Sequence, residues 1–316
     1  PYPTISIVDP PIHGLFTGGM EYPTLISSLS FCFFPTGVRT PEILVTHEFI
    51  HQYFMQMVAT HEVEEPWMDE GFTTYFESRV MNKYYGEYNS TIDFAGIQVG
   101  NAEFNRIEFL SSDNPKIAPG NSKSYEYKHG GYGTIAYNKT AMWLKTLEGL
   151  IGIESMDRIM KTYFEKWKFK HPCGQDFIAV VNEIVIEDHG DRYGDGMDWY
   201  FEQVLYGTVE CDYAIQSISN KKTVQPAGFV DEGDCITLDT DKLKSGYTST
   251  VILQRLGEMN LPIEIQINFE DGKSVLEYWD GKERSTAFTY SGENKIVAAI
   301  IDPEKKIDMD KNFINN

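Results

Sequence analysis

Two histidines four residues apart constrain this chain more than any other feature. They are His47 and His51, in the stretch "THEFIHQYF" at residues 46–54, and Glu48 follows the first of them directly. Positions four apart share one face of an α-helix, so a helix here would aim both imidazoles at one point. A His-Glu-x-x-His helix is a candidate metal site with a carboxylate base beside it.

A site with two histidine ligands needs a third protein ligand to hold zinc, and Glu70 is the candidate. It lies 19 residues beyond His51, in a segment that begins with acids and Pro66 and ends before Gly86. This segment predicts a second helix, which a short connection could fold back along the first. Two nitrogens and one oxygen are a ligand set typical of catalytic zinc, with a fourth position open to water. The alternative interpretation is a pair of structural histidines and an ordinary exposed carboxylate.

The composition favours a globular protein and excludes some classes of partner. The 316 residues include 41% apolar residues and carry a formal net charge of -20 at pH 7. Such a chain can form sizeable cores, but its field would repel phosphate backbones, so we expect no nucleic-acid partner. No apolar run approaches the roughly 18 residues of a transmembrane helix. Cys211 and Cys235 could pair across strands or remain thiols, and both options stay open.

Local signals predict the elements of the first 200 residues. Thr40, a residue typical of N-caps, precedes Pro41 and predicts that the helix with the two histidines begins near residue 40. The sequence pattern predicts a helix and a long loop for residues 88–132, and four further helices for residues 133–207. A short strand is expected near the start of the chain, before a loop rich in Pro and Gly.

The apolar periodicity changes near residue 207 and predicts two domains. After this point apolar residues alternate or run in short bursts between Gly, Asp-Gly and Pro turn signals, as in antiparallel strands. We expect an α+β fold, with residues 1–207 as a mainly helical catalytic domain whose helical portion covers about 133–207. Residues 208–316 are expected to form a small antiparallel β-sandwich.

Three motifs together resemble the gluzincin zinc aminopeptidases typified by aminopeptidase N, the membrane alanyl aminopeptidase family. They are "GGMEYP" at residues 18–23, "HEFIHQYF" at residues 47–54 and "PWMDEGFTTYFE" at residues 66–77. The family's pattern is a Gly-x-Met-Glu-Asn, then a His-Glu-x-x-His, eighteen residues and a Glu. The match extends from about Gly18 to Lys139. The resemblance implies a thermolysin-like zinc peptidase that removes N-terminal residues from peptides.

The resemblance implies a metal-assisted hydrolysis with a defined set of catalytic residues. One zinc ion per chain would be held by His47, His51 and Glu70. Glu48 would act as the general base toward water and then protonate the leaving amine. The stretch "AYNKT" places Tyr137 in the family's Tyr-x-Lys pattern, as a hydrogen-bond donor to the oxyanion.

The resemblance also assigns substrate-binding residues. Glu21 would bind the free amino terminus of the substrate, and Tyr132 is similar to a second active-site tyrosine of some members. A strand edge where the peptide backbone can pair would be lined by Gly18, Gly19 and Met20. Peptides with a free N-terminus are therefore the expected partners, and the oligomeric state stays open.

Several details of the site stay open at the level of sequence. Glu65 or Asp69 could accept hydrogen bonds from the imidazole N–H groups, although solvated acids are the favoured interpretation. Tyr22 stands where the family has Asn after the recognition glutamate, and Met55 and Gln56 replace a common Gly-Asn. These departures concern substrate recognition, since the metal ligands are unchanged.

Other functions remain alternatives to an aminopeptidase. They are a zinc endopeptidase or specialised hydrolase on the same scaffold, and a non-catalytic peptide-binding relative. Family members carry a large β domain before this region, and we expect such a domain of the parent chain to pack against this part. The cell envelope or secretion is favoured over the cytoplasm as the location, with membrane anchoring of the parent chain an option.

Overall fold

The computed structural model divides into two compact units, Pro1–Val209 and Glu210–Asn316. It describes residues 2–11, 14, 18–29, 34–112, 118–128, 130–226, 229–231, 233, 236–238 and 243–315. Within this part of the chain, seven α-helices and small, mostly antiparallel sheets confirm the predicted α+β class. None of the helices in the described residues is both long and apolar enough to cross a bilayer.

The first unit is mainly helical, with two small pairs of strands. Its strands are β1 (Ser6–Val8) and β2 (Leu25–Ser27), which pair in parallel, and β3 (Ile92–Phe94) and β4 (Ile97–Val99), which pair antiparallel. Its helices are α1 (Thr40–Ile50), α2 (Glu70–Tyr85), α3 (Asn101–Ser111), α4 (Thr140–Ile151), α5 (Ile153–Trp167), α6 (Gly174–His189) and α7 (Asp198–Val204). A 3₁₀ turn, Pro66–Met68, precedes α2, and a π-helix, Gly133–Lys139, runs directly into α4.

The start of α1 differs by one residue from the prediction. Thr40 is its first helical residue, Arg39 occupies the cap position, and no side chain caps the helix. Pro41 still lies in the first turn, where its missing N–H costs nothing, and Glu42 adds a favourable negative charge there. Residues 88–132 differ more, since a hairpin of β3 and β4 precedes α3 where we expected only helix and loop.

An aromatic cluster fixes α2 against the later helices. The ring of Phe72 lies 4.8 Å from that of Phe177 on α6 and 5.8 Å from that of Tyr163 on α5, between centroids. Trp67 and Phe54 contact the same ring at 5.8 and 5.6 Å. Phe72, Phe177 and Tyr163 are fully buried, so this cluster holds the start of α2 in a fixed position beside α1.

The second unit is built of strands. Its elements are β5 (Tyr213–Pro226), β6 (Phe229–Asp231), β7 (Ile236–Leu238), β8 (Leu243–Arg255), β9 (Ile263–Phe269), β10 (Ser274–Trp279), β11 (Ser285–Gly292) and β12 (Ile296–Ile301). One antiparallel sheet has the order β11-β8-β5 and another β10-β9-β12. Asn220 joins the sheets, because its side chain accepts a hydrogen bond from the Ile296 N–H and donates one to the Ile296 carbonyl. Cys211 is a buried thiol, and Cys235 lies outside the described residues.

Candidate metal centre and active site

The structure brings the three predicted metal ligands together. His47 and His51 lie at the C-terminal end of α1, with ring centroids 4.8 Å apart, and Glu70 is the first residue of α2. The Nε2 atom of each histidine is 3.2 Å from Oε2 of Glu70. One ligand atom from each residue falls within 4.8 Å of the others, a spacing that can hold one metal ion.

The outer nitrogen of each imidazole already has a carboxylate partner. Nδ1 of His47 lies 2.9 Å from Oε2 of Glu77. Nδ1 of His51 lies 2.7 Å from Oδ1 of Asp69 and 3.2 Å from the hydroxyl of Thr73. An imidazole that donates its Nδ1 proton to a carboxylate presents an unprotonated Nε2 as a metal ligand. Two such lone pairs facing one carboxylate oxygen repel unless a cation or extra protons lie between them. The donor set of Glu70 and the two histidines therefore fits zinc.

In the metal-free chain, protons take the place of that cation. Burial alone would lower the pKa of His47, but hydrogen bonds to Glu70 and Glu77 outweigh it and raise the pKa to about 9. Burial also acts to lower the pKa of His51, but the hydrogen bonds and negative charges of Asp69 and Glu70 outweigh it and hold the pKa well above its usual value. The same pairing lowers the pKa of Glu70 to about 2, against the effect of burial. The site attracts positive charge.

Of these two outer carboxylates, the sequence interpretation missed Glu77 and gave Asp69 only as the less favoured acceptor. Asp69 is only 2% exposed and faces His51, so the interpretation of this residue as a solvated acid is wrong. Glu65 instead accepts a hydrogen bond from the Gly174 N–H at the start of α6. Glu77 lies seven residues after Glu70, two turns along the same helix face, and that spacing is a signal which could have identified it.

Glu77 is itself held in a buried polar network. Its second oxygen accepts a hydrogen bond from the side-chain amide of Asn101, at 2.7 Å. Asn101 in turn bonds Ser78 and Asn105, and its backbone N–H donates to the hydroxyl of Ser90. Such a network restricts the carboxylate to one position and, through it, the ring of His47.

Glu48 has the surroundings of a general base. Its side chain is buried, and Oε2 has no hydrogen-bond partner among the residues that the structure describes. Burial, the largest effect, raises the pKa of Glu48 to about 7, although the nearby histidines oppose the shift. A carboxylate with a pKa near neutrality and a free oxygen can accept a proton and give it up again.

The predicted substrate-binding segment, residues 18–22, lies beside Glu48. A Cβ atom on Gly19 would fall 1.9 Å from Oε1 of Glu48, so only glycine allows this approach. The carbonyl of Met20 accepts a hydrogen bond from the Ser27 N–H on β2, at 2.9 Å. Gly18 is exposed, and a Cβ there would meet nothing within 4 Å. The segment therefore forms an open edge next to the base.

Two glutamines from the turns after α1 hold the backbone of Glu21 in place. The Gln52 and Gln56 amides donate to the Glu21 carbonyl at 3.2 and 2.9 Å. Gln52 is fully buried, and its Oε1 accepts a hydrogen bond from the Thr24 N–H. The Glu21 carboxylate is near enough to that of Glu48 to contribute to its raised pKa. The turns that follow the metal-ligand helix thus also hold the backbone of the proposed amine anchor.

Tyr137 reaches the metal site from the π-helix. Its ring stacks parallel to the imidazole of His47, with centroids 5.7 Å apart, and the Tyr132 ring lies 5.8 Å from it edge to face. Burial and the charge on Glu70 raise the pKa of Tyr137, so its phenol stays protonated as a donor. A Cβ on Gly71 would fall 2.8 Å from the carbonyl oxygen of Ala136, which shows how closely α2 approaches the π-helix that carries Tyr137.

Comparisons with known proteins give a matching family model and several curated relatives. The model described as "Peptidase family M1 domain" matches residues 15–192. "Leucine aminopeptidase 2" of Emericella nidulans is 30% identical over 189 residues, which cover 58% of this chain and 29% of that protein. "Aminopeptidase B" of Rattus norvegicus is 27% identical over 178 residues, covering 54% of this chain and 26% of that protein. "Leukotriene A-4 hydrolase homolog" of Botryotinia fuckeliana is 26% identical over 183 residues, with coverage of 58% and 29%.

A solved structure shares the fold. The crystal structure of Legionella pneumophila aminopeptidase A in complex with aspartic acid aligns with a TM-score of 0.55 and 14% identity. The alignment covers 93% of this chain and 30% of that one. The chain spans less than a third of the length of each of these relatives.

Proposed function

Because the chain belongs to peptidase family M1, we propose that its first unit is the catalytic part of a zinc aminopeptidase with one ion per chain. The observation that carries this proposal is the convergence of His47, His51 and Glu70 beside a buried base, Glu48, whose Oε2 has no partner among the described residues. A site built only for structural stability gains nothing from a buried carboxylate without a hydrogen-bond donor.

Each residue around the metal site has its own role in peptide hydrolysis. Zinc, when bound by His47, His51 and Glu70, supplies Lewis-acid polarisation and acidifies water. Glu48 takes a proton from the attacking water and transfers it to the leaving amine, for which its pKa near 7 is suited. Tyr137 donates its phenolic hydrogen to the oxyanion that develops on the scissile carbonyl. The stack of its ring on His47 sets the direction of this donor.

We propose that the substrates are peptides with a free amino terminus. Glu21 offers a carboxylate on the open edge next to Glu48, and the glutamines that hold its backbone fix its distance from the base. A cationic terminus bound there would leave room for one residue before the scissile bond. The peptide backbone could pair with the edge formed by Gly18, Gly19 and Met20. Tyr132, whose ring contacts that of Tyr137, would be a further contact to the substrate.

We further propose that a β domain of the longer parent chain packs on β1. Among the described strands β1 pairs only with β2, and Ile7 and Val8 on it are 57% and 46% exposed. Next to it lies an apolar groove of 830 Å³, lined by residues that include Ile7, Phe49, Tyr53 and Phe164. An exposed apolar edge favours a further strand. Amide exchange on β1 should slow when the preceding region is present, and equal exchange with and without it would contradict this arrangement.

The test of the function compares one peptide in two forms, free and acetylated at its amino terminus. The zinc-loaded full-length protein should cleave the free peptide and leave the acetylated one intact. Glu21→Gln should weaken the preference for the free peptide while the zinc content stays unchanged. Equal cleavage of both forms by the native enzyme would support the endopeptidase alternative and remove the role of Glu21. Lack of cleavage of either form by protein that retains its zinc would favour a peptide-binding relative.

A further inference from the structure

Lys139 is a buried lysine that no part of the proposed chemistry uses. It is the last residue of the π-helix and is 3% exposed. Its Nζ donates a hydrogen bond to the carbonyl of Gly207, at 3.0 Å. Among the described residues no carboxylate forms an ion pair with it, and burial lowers its pKa to about 8. Burying an ammonium group without a carboxylate costs stability, so the contact with Gly207 calls for an explanation.

The acceptor of this hydrogen bond is itself fixed. Gly207 follows α7, and a Cβ on it would fall 2.7 Å from the carbonyl oxygen of Gln203 and 2.9 Å from that of Glu202. The backbone at residue 207 therefore lies directly against the last turn of the helix. A lysine near the carbonyl end of a helix also interacts favourably with its dipole. Lys139 thus ties the π-helix to a rigid point of the first unit.

Three consecutive residues of the π-helix contact three different elements. Tyr137 stacks on His47 of α1, and the side-chain amide of Asn138 donates to Glu108 of α3, at 3.1 Å. Lys139 reaches Gly207, three residues after the end of α7. Residues two apart in a helix project to nearly opposite sides, so Tyr137 and Lys139 hold the π-helix between the metal site and α7. A π-helix is rare and needs such support, because its backbone hydrogen bonds are less favourable than those of an α-helix.

We propose that Lys139 is a positioning residue for Tyr137. Its hydrogen bond to Gly207 fixes the register of the π-helix, and this register directs the phenol of Tyr137 toward the position of the oxyanion. The inference rests on the proposed peptidase function, since it assigns Lys139 to the placement of a catalytic donor. Lys139 itself touches neither the substrate nor the metal ligands.

The test is a double-mutant cycle in the zinc-loaded full-length protein. Tyr137→Phe should lower kcat about a hundredfold or more, the usual effect of losing one oxyanion donor. Lys139→Met should lower kcat about tenfold to a hundredfold, since small displacements of a catalytic group have effects of this size, with KM and zinc content unchanged. In the Tyr137→Phe background the same change should have less than about a twofold effect, because its target is already absent.

The Tm of Lys139 variants distinguishes a positioning role of this residue from a purely structural one. Methionine has nearly the shape of lysine without the buried charge, so Lys139→Met should leave Tm unchanged or raise it. Lys139→Arg keeps a donor and should recover part of the lost kcat. Lys170→Met is a matched control, because Lys170 also donates to a backbone carbonyl, that of Lys166, but is exposed; it should leave kcat unchanged. A fall in Tm with equal losses of kcat in both backgrounds would overturn the proposal.

Amide hydrogen exchange does not depend on peptidase activity, so it tests the anchoring role of Lys139 separately from the proposed function. Amides of the π-helix, Gly133–Lys139, should exchange with solvent faster in Lys139→Met than in the native chain, while those of α1 do not change. Equal exchange would overturn the anchoring role even in an active peptidase. Faster exchange without peptidase activity in the native protein would support the anchor and reject the proposed function.

Discussion

The two halves of the candidate active site are built in different ways. In the metal half, His47 and His51 are buried at the C-terminal end of α1, and a carboxylate faces the outer nitrogen of each ring. In the substrate half, residues 18–22 are exposed or half-buried, and their backbone carbonyls accept hydrogen bonds from Gln52 and Gln56. The first half is fixed through side chains and the second through the main chain.

This difference suggests how chemistry and specificity can change independently. Metal binding needs ligand atoms within a few tenths of an ångström of their positions, and only buried, hydrogen-bonded side chains provide that precision. Residues 18–22 are held through hydrogen bonds to their backbone carbonyls, so their side chains can be substituted without loss of these hydrogen bonds. Tyr22, which departs from the family's pattern, is 55% exposed on this edge. We therefore expect variants in the two halves to have separable effects.

The largest effect is expected for Glu48→Gln in the metal half. This change keeps the shape of the side chain but removes the base, so kcat should fall by about 10²- to 10⁴-fold. Zinc content should stay at the native level, because Glu48 is not among the ligands. Glu42→Gln, on an exposed carboxylate of the same helix, is the matched control and should keep native activity. Native turnover in Glu48→Gln would remove the base from the proposed mechanism.

The support of the metal half is tested by Glu77→Gln. The amide is a weaker acceptor for the Nδ1 proton of His47, so zinc affinity should fall by about 10- to 100-fold. A competition titration with a chelator measures this directly. Glu148→Gln is the control, because Glu148 accepts a hydrogen bond from Tyr75 away from the metal ligands. Unchanged zinc affinity in Glu77→Gln would show that the metal half is not fixed through its side-chain carboxylates.

The sequence predicted the centre of the site better than its support. The spacing of His47, His51 and Glu70 was sufficient because helical periodicity is local and metal geometry allows few arrangements. The role proposed for Tyr137 rests on the family resemblance, since a π-helix has no sequence signature of its own. Asp69 was misassigned because whether an acid is solvated depends on tertiary packing.

The fold shows the same limit. The helices of the first unit follow from periodicity, whereas β5 and β11 lie outside the apolar stretches on which the prediction of the β-sandwich rested. Both are outer strands beside the central β8, and β11 has no fully buried residue along its length. The half-buried residues of β11 are Thr286, Phe288 and Tyr290, and they alternate with exposed ones. Only the last two are large and aromatic, so the apolar alternation is too short to identify the strand from the sequence.

The substrate half is tested by Gln52→Leu. The change leaves the Thr24 N–H and the Tyr22 carbonyl without their buried partner, so residues 18–24 should become less ordered. We expect KM to rise about tenfold, with kcat reduced less and zinc affinity unchanged. Gln175→Leu is the control, since Gln175 makes an exposed hydrogen bond to Tyr206. A loss of zinc affinity as large as that of Glu77→Gln would contradict the separation of the halves.

The smallest expected effect is a pH dependence confined to the metal half. In the metal-free protein the pKa of His47 is about 9, above its ordinary value of 6.5. A raised pKa stabilises the fold fully below pH 6.5, and this stabilisation is lost as the pH rises through 9. Zinc replaces the protons, so the zinc-loaded protein lacks this loss. The difference in Tm between the zinc-loaded and metal-free forms should grow by a few degrees between pH 6.5 and pH 9.

Glu77→Gln removes one cause of the raised pKa of His47 and should reduce this pH-dependent growth of the Tm difference, whereas Gln52→Leu should not alter it. A difference in Tm that stays constant over this range would show that the imidazoles are not protonated against Glu70, and the electrostatic account of the metal half would fail.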